Sequence, residues 1–197
     1  MRGPSCMKCG KPVADEKTEF CYDCSRRRHR FTRGGACLVY DRLMKASIGR
    51  FKYHNRREYA DFYAQELYAG NRRMLASWEP DVLIPVPIHR NKYRKRGFNQ
   101  AALVAERLGG LSGIPVDKTW LMRVVDTRPQ KELNDAGRRE NLKNAFQVAE
   151  NDVDYKRVVL VDDIYTTGST VDAACAVLLE AGVEKVYFLS VCIGRDY

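Results

Sequence analysis

The chain has 197 residues, 45% of them hydrophobic and 30% charged, which suits one sizeable domain plus a small module. Its formal charge is +9, and residues 1–60 carry all of it: they hold 15 Lys/Arg against 6 Asp/Glu, whereas residues 61–197 hold 19 of each. No apolar run is long enough to span a bilayer, which excludes an integral helical membrane protein, and no apolar leader precedes the first cysteine, so the expected compartment is the cytoplasm.

Seven cysteines in a cytoplasmic chain point to metal before disulfides. Cys6-Met7-Lys8-Cys9 and Cys21-Tyr22-Asp23-Cys24 are two Cys-x-x-Cys knuckles separated by eleven residues. Four thiolates at this spacing can close a tetrahedral structural zinc site. A redox Cys-x-x-Cys needs only one pair, so the second knuckle favours zinc. Cys175 and Cys192 lie in apolar surroundings and read as core. A basic run follows, with Arg26, Arg27, Arg28, Arg30 and Arg33 around His29 and Phe31. It reads as part linker and part phosphate-contacting surface, with Phe31 or Tyr40 available for base stacking. A solvated basic face is the plainer alternative. The expected division is residues 1–34 for the zinc module and its basic linker, and 35–197 for the main domain.

Ala36 to Tyr40 predicts a short strand, and Leu43, Met44, Ile48 and Phe51 predict a helix running to Lys52-Tyr53. For Lys52-Tyr53 the plain alternative is a lysine snorkelling beside a core ring. A second amphipathic helix carries Tyr59, Phe62, Tyr63, Leu67 and Met74 and stops before Pro80. Asp81 to Pro87 is a buried strand closed by prolines. Five basic residues in the seven from Arg90 to Arg96 predict an anion-facing loop. Helix resumes through Ala101, Leu103, Val104 and Leu108. Val116 to Val125 predicts a strand, residues 127–141 a mobile polar excursion, and Ala145 to Val148 a short strand.

The most informative stretch is Arg157 to Thr170. Val158-Val159-Leu160-Val161 reads as a strand buried on both faces. It ends in Asp162-Asp163, then Ile164-Tyr165-Thr166-Thr167-Gly168-Ser169-Thr170, and helical spacing begins near Ser169. In open α/β sheets, ligands bind beyond the carboxyl ends of strands, and helix N-termini favour phosphate. Paired carboxylates suit hydroxyls or a hydrated divalent cation. The unit can therefore hold a phosphate at one end and a polyol or metal beside it. A P-loop ATPase would need Gly-x-x-x-x-Gly-Lys-Ser/Thr upstream, which is absent. Simple helix capping accounts for Ser169 or Thr170 but not for the acid pair and glycine as well. The last helix ends at Ala181-Gly182, and Val186 to Val191 forms the final strand. Alternating strands and helices imply a parallel sheet.

Val158 to Thr170 resembles the phosphoribosyl pyrophosphate (PRPP) signature of type I phosphoribosyltransferases. The order of motifs narrows this further: the four-cysteine module, Phe51-Lys52-Tyr53, Ile84-Pro85-Val86-Pro87, Arg96-Gly97-Phe98-Asn99-Gln100, Gln130 through Arg138/Arg139 to Asn141, and the PRPP stretch. That order is similar to the ComF family of competence proteins over nearly the whole chain. One departure is His54-Asn55-Arg56-Arg57, where the family often has a glycine and an acid. The resemblance implies an α/β fold, a type I phosphoribosyltransferase-like parallel sheet flanked by helices behind a small zinc module. It also implies that Asp162 and Asp163 hold the ribose hydroxyls directly or through magnesium. The backbone of Thr166, Thr167, Gly168, Ser169 and Thr170 would hold the 5′-phosphate. The loop with Pro87 and Arg90 would face pyrophosphate, and the 127–141 excursion would close as a flap. The implied role is uptake of single-stranded DNA in natural transformation, alongside a helicase-like ATPase. The alternative is a Mg-PRPP-dependent transferase of nucleotide metabolism with an unidentified acceptor. Residues 126–193 are also similar to amidophosphoribosyltransferases, but no cysteine follows Met1 to serve as the glutaminase nucleophile.

Overall fold

The computed structural model describes residues 3–126, 142, 144–150 and 153–195. Its centre is a four-stranded parallel sheet of β1 (Arg33–Val39), β2 (Val82–Pro85), β5 (Arg157–Tyr165) and β6 (Lys185–Ile193), in the order β1-β6-β5-β2. The β5 run Val158 to Val161 alternates between two cores, which is why it is apolar at every position. Val158 and Leu160 face one side with Val82, Ile84, Val186 and Phe188. Val159 and Val161 face the other with Leu83, Tyr187, Leu189 and Val191. Sheets of this kind are buried on both faces, so neither face can be polar.

Helices α2 (Arg42–Tyr53), α3 (Tyr59–Trp78) and α5 (Gln100–Ser112) cover the second face. Asp41 starts α2 by accepting a hydrogen bond from the Met44 N–H at 2.8 Å, and Ile48 and Phe51 turn inward. On α3 the stripe is Ala60, Tyr63, Ala64, Leu67, Leu75 and Trp78; Phe62 lies outside it and is exposed. Trp78 stacks on Tyr187 with centroids 4.5 Å apart, fixing the end of α3 to the sheet.

The other face is covered by α6 (Ser169–Glu180), by the antiparallel pair β3 (Leu121–Arg123) and β4 (Phe146–Val148), and by the cysteine module with its short helix α1 (Tyr22–Arg26). The strand expected over 116–125 is shorter than its sequence. Asp117 Oδ1 accepts from the N–H groups of Thr119 and Trp120 at 2.7 and 3.0 Å, closing a turn there, and Val116 keeps only a single bridge to Leu83. The module packs directly onto the sheet. The Gly34 N–H donates to the Lys8 carbonyl at 2.8 Å, and Cys6, Cys9, Cys21 and Phe31 join the sheet's own core. A Cβ on Gly34 would lie 1.9 Å from the Phe188 ring, so only glycine fits where strand and ring meet.

The basic run is docked through His29 to Thr32. Phe31 is fully buried, stacked on His29 at 4.9 Å and edge-on to Phe188 at 4.9 Å. The expectation that Phe31 stacks a base is therefore corrected: it is a core residue. Basic residues 90–96 are also not a loop but α4 (Arg90–Arg96). The His89 ring accepts from the Asn91 N–H at 3.3 Å at its start, and Gly97 turns left-handed at its end.

Candidate phosphoribosyl site

β5 delivers Asp162 and Asp163 to the carboxyl edge of the sheet, with opposite orientations because strand side chains alternate. Asp163 is buried, and its Oδ2 accepts from Lys52 Nζ at 2.6 Å. Lys52, at the end of α2, is therefore a member of the site rather than a snorkelling lysine. Burial pulls its pKa down, but the charge and hydrogen bond of Asp163 outweigh this and leave it raised, so the ammonium stays charged. Asp162 accepts from the Asp163 N–H at 2.8 Å. Burial first, and then the Asp163 charge, push its pKa up to about 7, against the opposing pull of Lys52 and Arg123.

Beyond the acids, the chain turns through Thr166 and Thr167 into Gly168, whose φ of +82° is the left-handed conformation glycine adopts without penalty. Thr166 is exposed, Thr167 and Thr170 are half-buried, and Gly168 and Ser169 are buried. The Thr167 and Ser169 hydroxyls are 3.0 Å apart. Ser169 opens α6, whose first N–H groups lack intrahelical partners and carry the positive end of the helix dipole. Unpaired N–H groups and hydroxyls of this kind can take a phosphate group, next to the carboxylates.

The loop after β2 is the second wall. Pro87 is half-buried and Arg90 exposed. The Arg96-Gly97-Phe98-Asn99-Gln100 motif holds this loop in place. Asn99 Nδ2 donates to the Val86 carbonyl at 3.0 Å, while Asn99 Oδ1 accepts from the Ala101 N–H at 3.1 Å and so caps α5. Phe98 is buried against Phe51 with centroids 6.0 Å apart. Arg96 donates to Gln100 at 3.0 Å and to the Tyr53 hydroxyl at 3.2 Å. Lys92 completes a cationic group: burial lowers its pKa, and the charges of Arg123, Arg96 and Lys52 lower it further. Lys52, Arg96 and Arg123 thus all bear on Lys92, and Lys52 is the cation bonded to the acid pair. The expected flap at 127–141, with Gln130, Arg138, Arg139 and Asn141, lies outside the described residues.

In the N-terminal module the sulfurs of Cys6, Cys9, Cys21 and Cys24 all lie within 4.8 Å of one another, and those of Cys9 and Cys21 are 3.6 Å apart. A tetrahedral zinc with bonds of about 2.3 Å separates its sulfurs by roughly 3.8 Å, so the cluster fits the metal. His29 is not a ligand; its Nδ1 lies 2.7 Å from Asp172 Oδ2. Arg26, Arg28, Arg30 and Arg33 are exposed and Arg27 is half-buried. With Lys8 and Phe20, Arg26 to Arg28 line a cleft of about 380 Å³.

A family model described as "Phosphoribosyl transferase domain" matches residues 60–196. "Competence protein F" of Haemophilus influenzae is 32% identical over 188 residues, covering 93% of this chain and 82% of its own. The chain belongs to the ComF family. Other relatives of this ComF chain include "DNA utilization protein YhgH" of Salmonella typhimurium, 31% identical over 95% of this chain and 83% of that one. "Competence protein ComFC" of Bacillus subtilis is 29% identical over 91% and 73%. The type I phosphoribosyltransferase-like parallel sheet and the N-terminal cysteine cluster, both expected from sequence, are present. Among the described residues no helix is long and apolar enough to cross a membrane.

Proposed function

We propose that the site binds PRPP, or a related phosphoribosyl ligand, with magnesium, and that the protein serves the handling of single-stranded DNA during uptake in natural transformation. The observation that carries the ligand is the polarity of the site. The turn of Thr166 to Thr170 follows Asp162-Asp163 into α6, and Lys52, paired with Asp163, has Lys92, Arg96 and Arg123 as cationic neighbours. PRPP has the complementary order of 5′-phosphate, diol and pyrophosphate. Asp162 and Asp163 hold the 2′- and 3′-hydroxyls, and the loop with Pro87 and Arg90 faces the pyrophosphate. Magnesium, when bound by these carboxylates and the phosphates, neutralises charge on the pyrophosphate. The cytoplasmic DNA-handling role rests on the relatives named for competence and DNA utilisation. Zinc held by Cys6, Cys9, Cys21 and Cys24 organises the module of residues 1–34 ahead of the phosphoribosyltransferase-like unit of 35–197. The exposed arginines Arg26, Arg28, Arg30 and Arg33, with Arg27, offer a track for a phosphate backbone, and a helicase-like ATPase is the expected partner.

A second reading, pentosyl transfer in nucleotide metabolism, is favoured by the same four cations. In that reaction the bond from the anomeric carbon to pyrophosphate breaks, its electron pair leaves with pyrophosphate, and the acceptor's lone pair forms the new bond. Cations at the departing group lower that barrier. The decisive experiment is calorimetric titration of the zinc-loaded protein with PRPP, with and without magnesium, followed by a search for pyrophosphate release. Magnesium-dependent binding supports the ligand; binding with no pyrophosphate released over a panel of acceptor bases favours the DNA-handling role. No binding under either condition overturns the phosphoribosyl reading.

A further inference from the structure

We infer that His29 and Asp172 form a latch that holds the phosphate cradle in shape, making the N-terminal segment part of the phosphoribosyl site. The inference rests on the reading of Thr166 to Thr170 as a phosphate cradle. His29 is 5% exposed although it sits among arginines that face solvent. Its Nδ1 meets Asp172 Oδ2 at 2.7 Å, and the other oxygen of Asp172 accepts from the Arg30 N–H at 2.9 Å. Asp172 lies in the first turn of α6, where its own N–H donates to the Gly168 carbonyl at 2.8 Å. One carboxylate therefore ties two consecutive positions of the basic run to the turn that follows the cradle. The imidazole also touches the cradle itself: a Cβ on Gly168 would lie 3.0 Å from His29 Cε1 and 2.7 Å from the Tyr165 hydroxyl. His29 Nε2 and the Tyr165 hydroxyl are both buried without a hydrogen-bond partner. Orphaned buried polar atoms are rare and persist where something beyond stability retains them. One of them, the Tyr165 hydroxyl, borders this glycine, and the other belongs to the imidazole whose Cε1 and Nδ1 border it too. His29 is a positioning residue, acting on the ligand through Gly168 and Asp172.

The test combines calorimetric PRPP titration in magnesium with amide hydrogen exchange of residues 165–172 in the ligand-free protein, on the full zinc-loaded chain. His29→Ala and Asp172→Ala should weaken PRPP binding by about threefold to thirtyfold, the range of couplings carried by a positional contact. Both should speed exchange in the cradle. His29→Asn places an amide N–H close to the position of Nδ1 and should restore most of the affinity, which simple loss of packing does not allow. Asp172 is only half-buried, against a fully buried His29 ring, so its alanine variant reads the latch even if His29→Ala fails to fold. Wild-type affinity in folded His29→Ala and Asp172→Ala, or no rescue by His29→Asn, overturns the latch. Unchanged cradle exchange in the alanine variants overturns it whatever the wild type binds. A wild type that does not bind PRPP overturns the phosphoribosyl reading and, with it, the latch's role in that site.

Discussion

Asp162→Asn should stabilise this protein at alkaline pH, and the gain can be worked from the site. The folded chain holds the Asp162 proton up to about 7, while the unfolded chain releases it near the usual 3.8. Between these values the native state binds more protons than the unfolded state, so stability falls as pH rises and levels off above about 7. Each pH unit of the gap corresponds to about 1.4 kcal/mol, giving an upper limit near 4 kcal/mol. Relaxation and water entry around the charge reduce this, so about 2–4 kcal/mol is the expected span. Asparagine keeps the carbonyl that accepts from the Asp163 N–H but carries no charge to bury. At pH 8 the variant should melt about 5–10 °C above wild type, and the difference should shrink toward zero as pH falls toward 4. Calorimetric melting across a pH series measures this. Equal or lower stability of the variant at pH 8 would refute the reasoning, because it would mean that Lys52 and Arg123 already offset the burial of the charge. Magnesium-PRPP affinity should move the other way, rising through pH 7 in wild type as the carboxylate forms and falling sharply in the variant.

Lys52→Met removes the cation from a buried carboxylate; it should cost about 1–3 kcal/mol in denaturant melts and make PRPP binding depend more steeply on magnesium. Elemental analysis of purified protein should find about one zinc per chain, and Cys9→Ser should lose it and lower the melting temperature. Fluorescence anisotropy with labelled single-stranded oligonucleotides should show sequence-tolerant binding that weakens with salt, and neutralising Arg26, Arg27 and Arg28 together should flatten the salt slope. If no binding occurs even at low salt, the basic cleft is a docking surface for a protein partner.

Most of the sheet was legible because strands buried on both faces leave an unbroken apolar signature, as in Val158 to Val161 and Val186 to Val191. The acid pair and its glycine were legible because no packing requirement puts them together. The failures have physical causes. Lys52 has helical spacing that suits a lysine lying along a core ring, and its meeting with Asp163 joins segments far apart in sequence. His29 and Phe31 were hidden inside a run of arginines, where composition argues for solvent; Asp172 of α6 draws His29 inward and Phe188 of the sheet draws Phe31. Residues 90–96 lack an apolar stripe, so helical periodicity was silent, and the helix depends on its two ends, His89 and Gly97. The Val116 to Val125 strand was shortened by one carboxylate, Asp117, which competes with the ladder for backbone donors.

The seating of the cysteine module has a consequence for how this chain is made. The module leaves the ribosome well before the strands it rests on. β1 pairs with β6, with Cys37 bonded to the carbonyl of Val191 across 154 residues, and His29 waits for Asp172 across 143. Contacts this distant in sequence form late, and the loops that they close are long. Until β6 has been made, Phe31 and the face of β1 have no sheet to cover them, and such half-made chains aggregate readily. Zinc captured by the nascent knuckles would give this leading segment a local fold of its own during the wait. A cell short of zinc should then lose the protein chiefly to misfolding during synthesis, whereas chelation of the finished, latched molecule should act far more slowly.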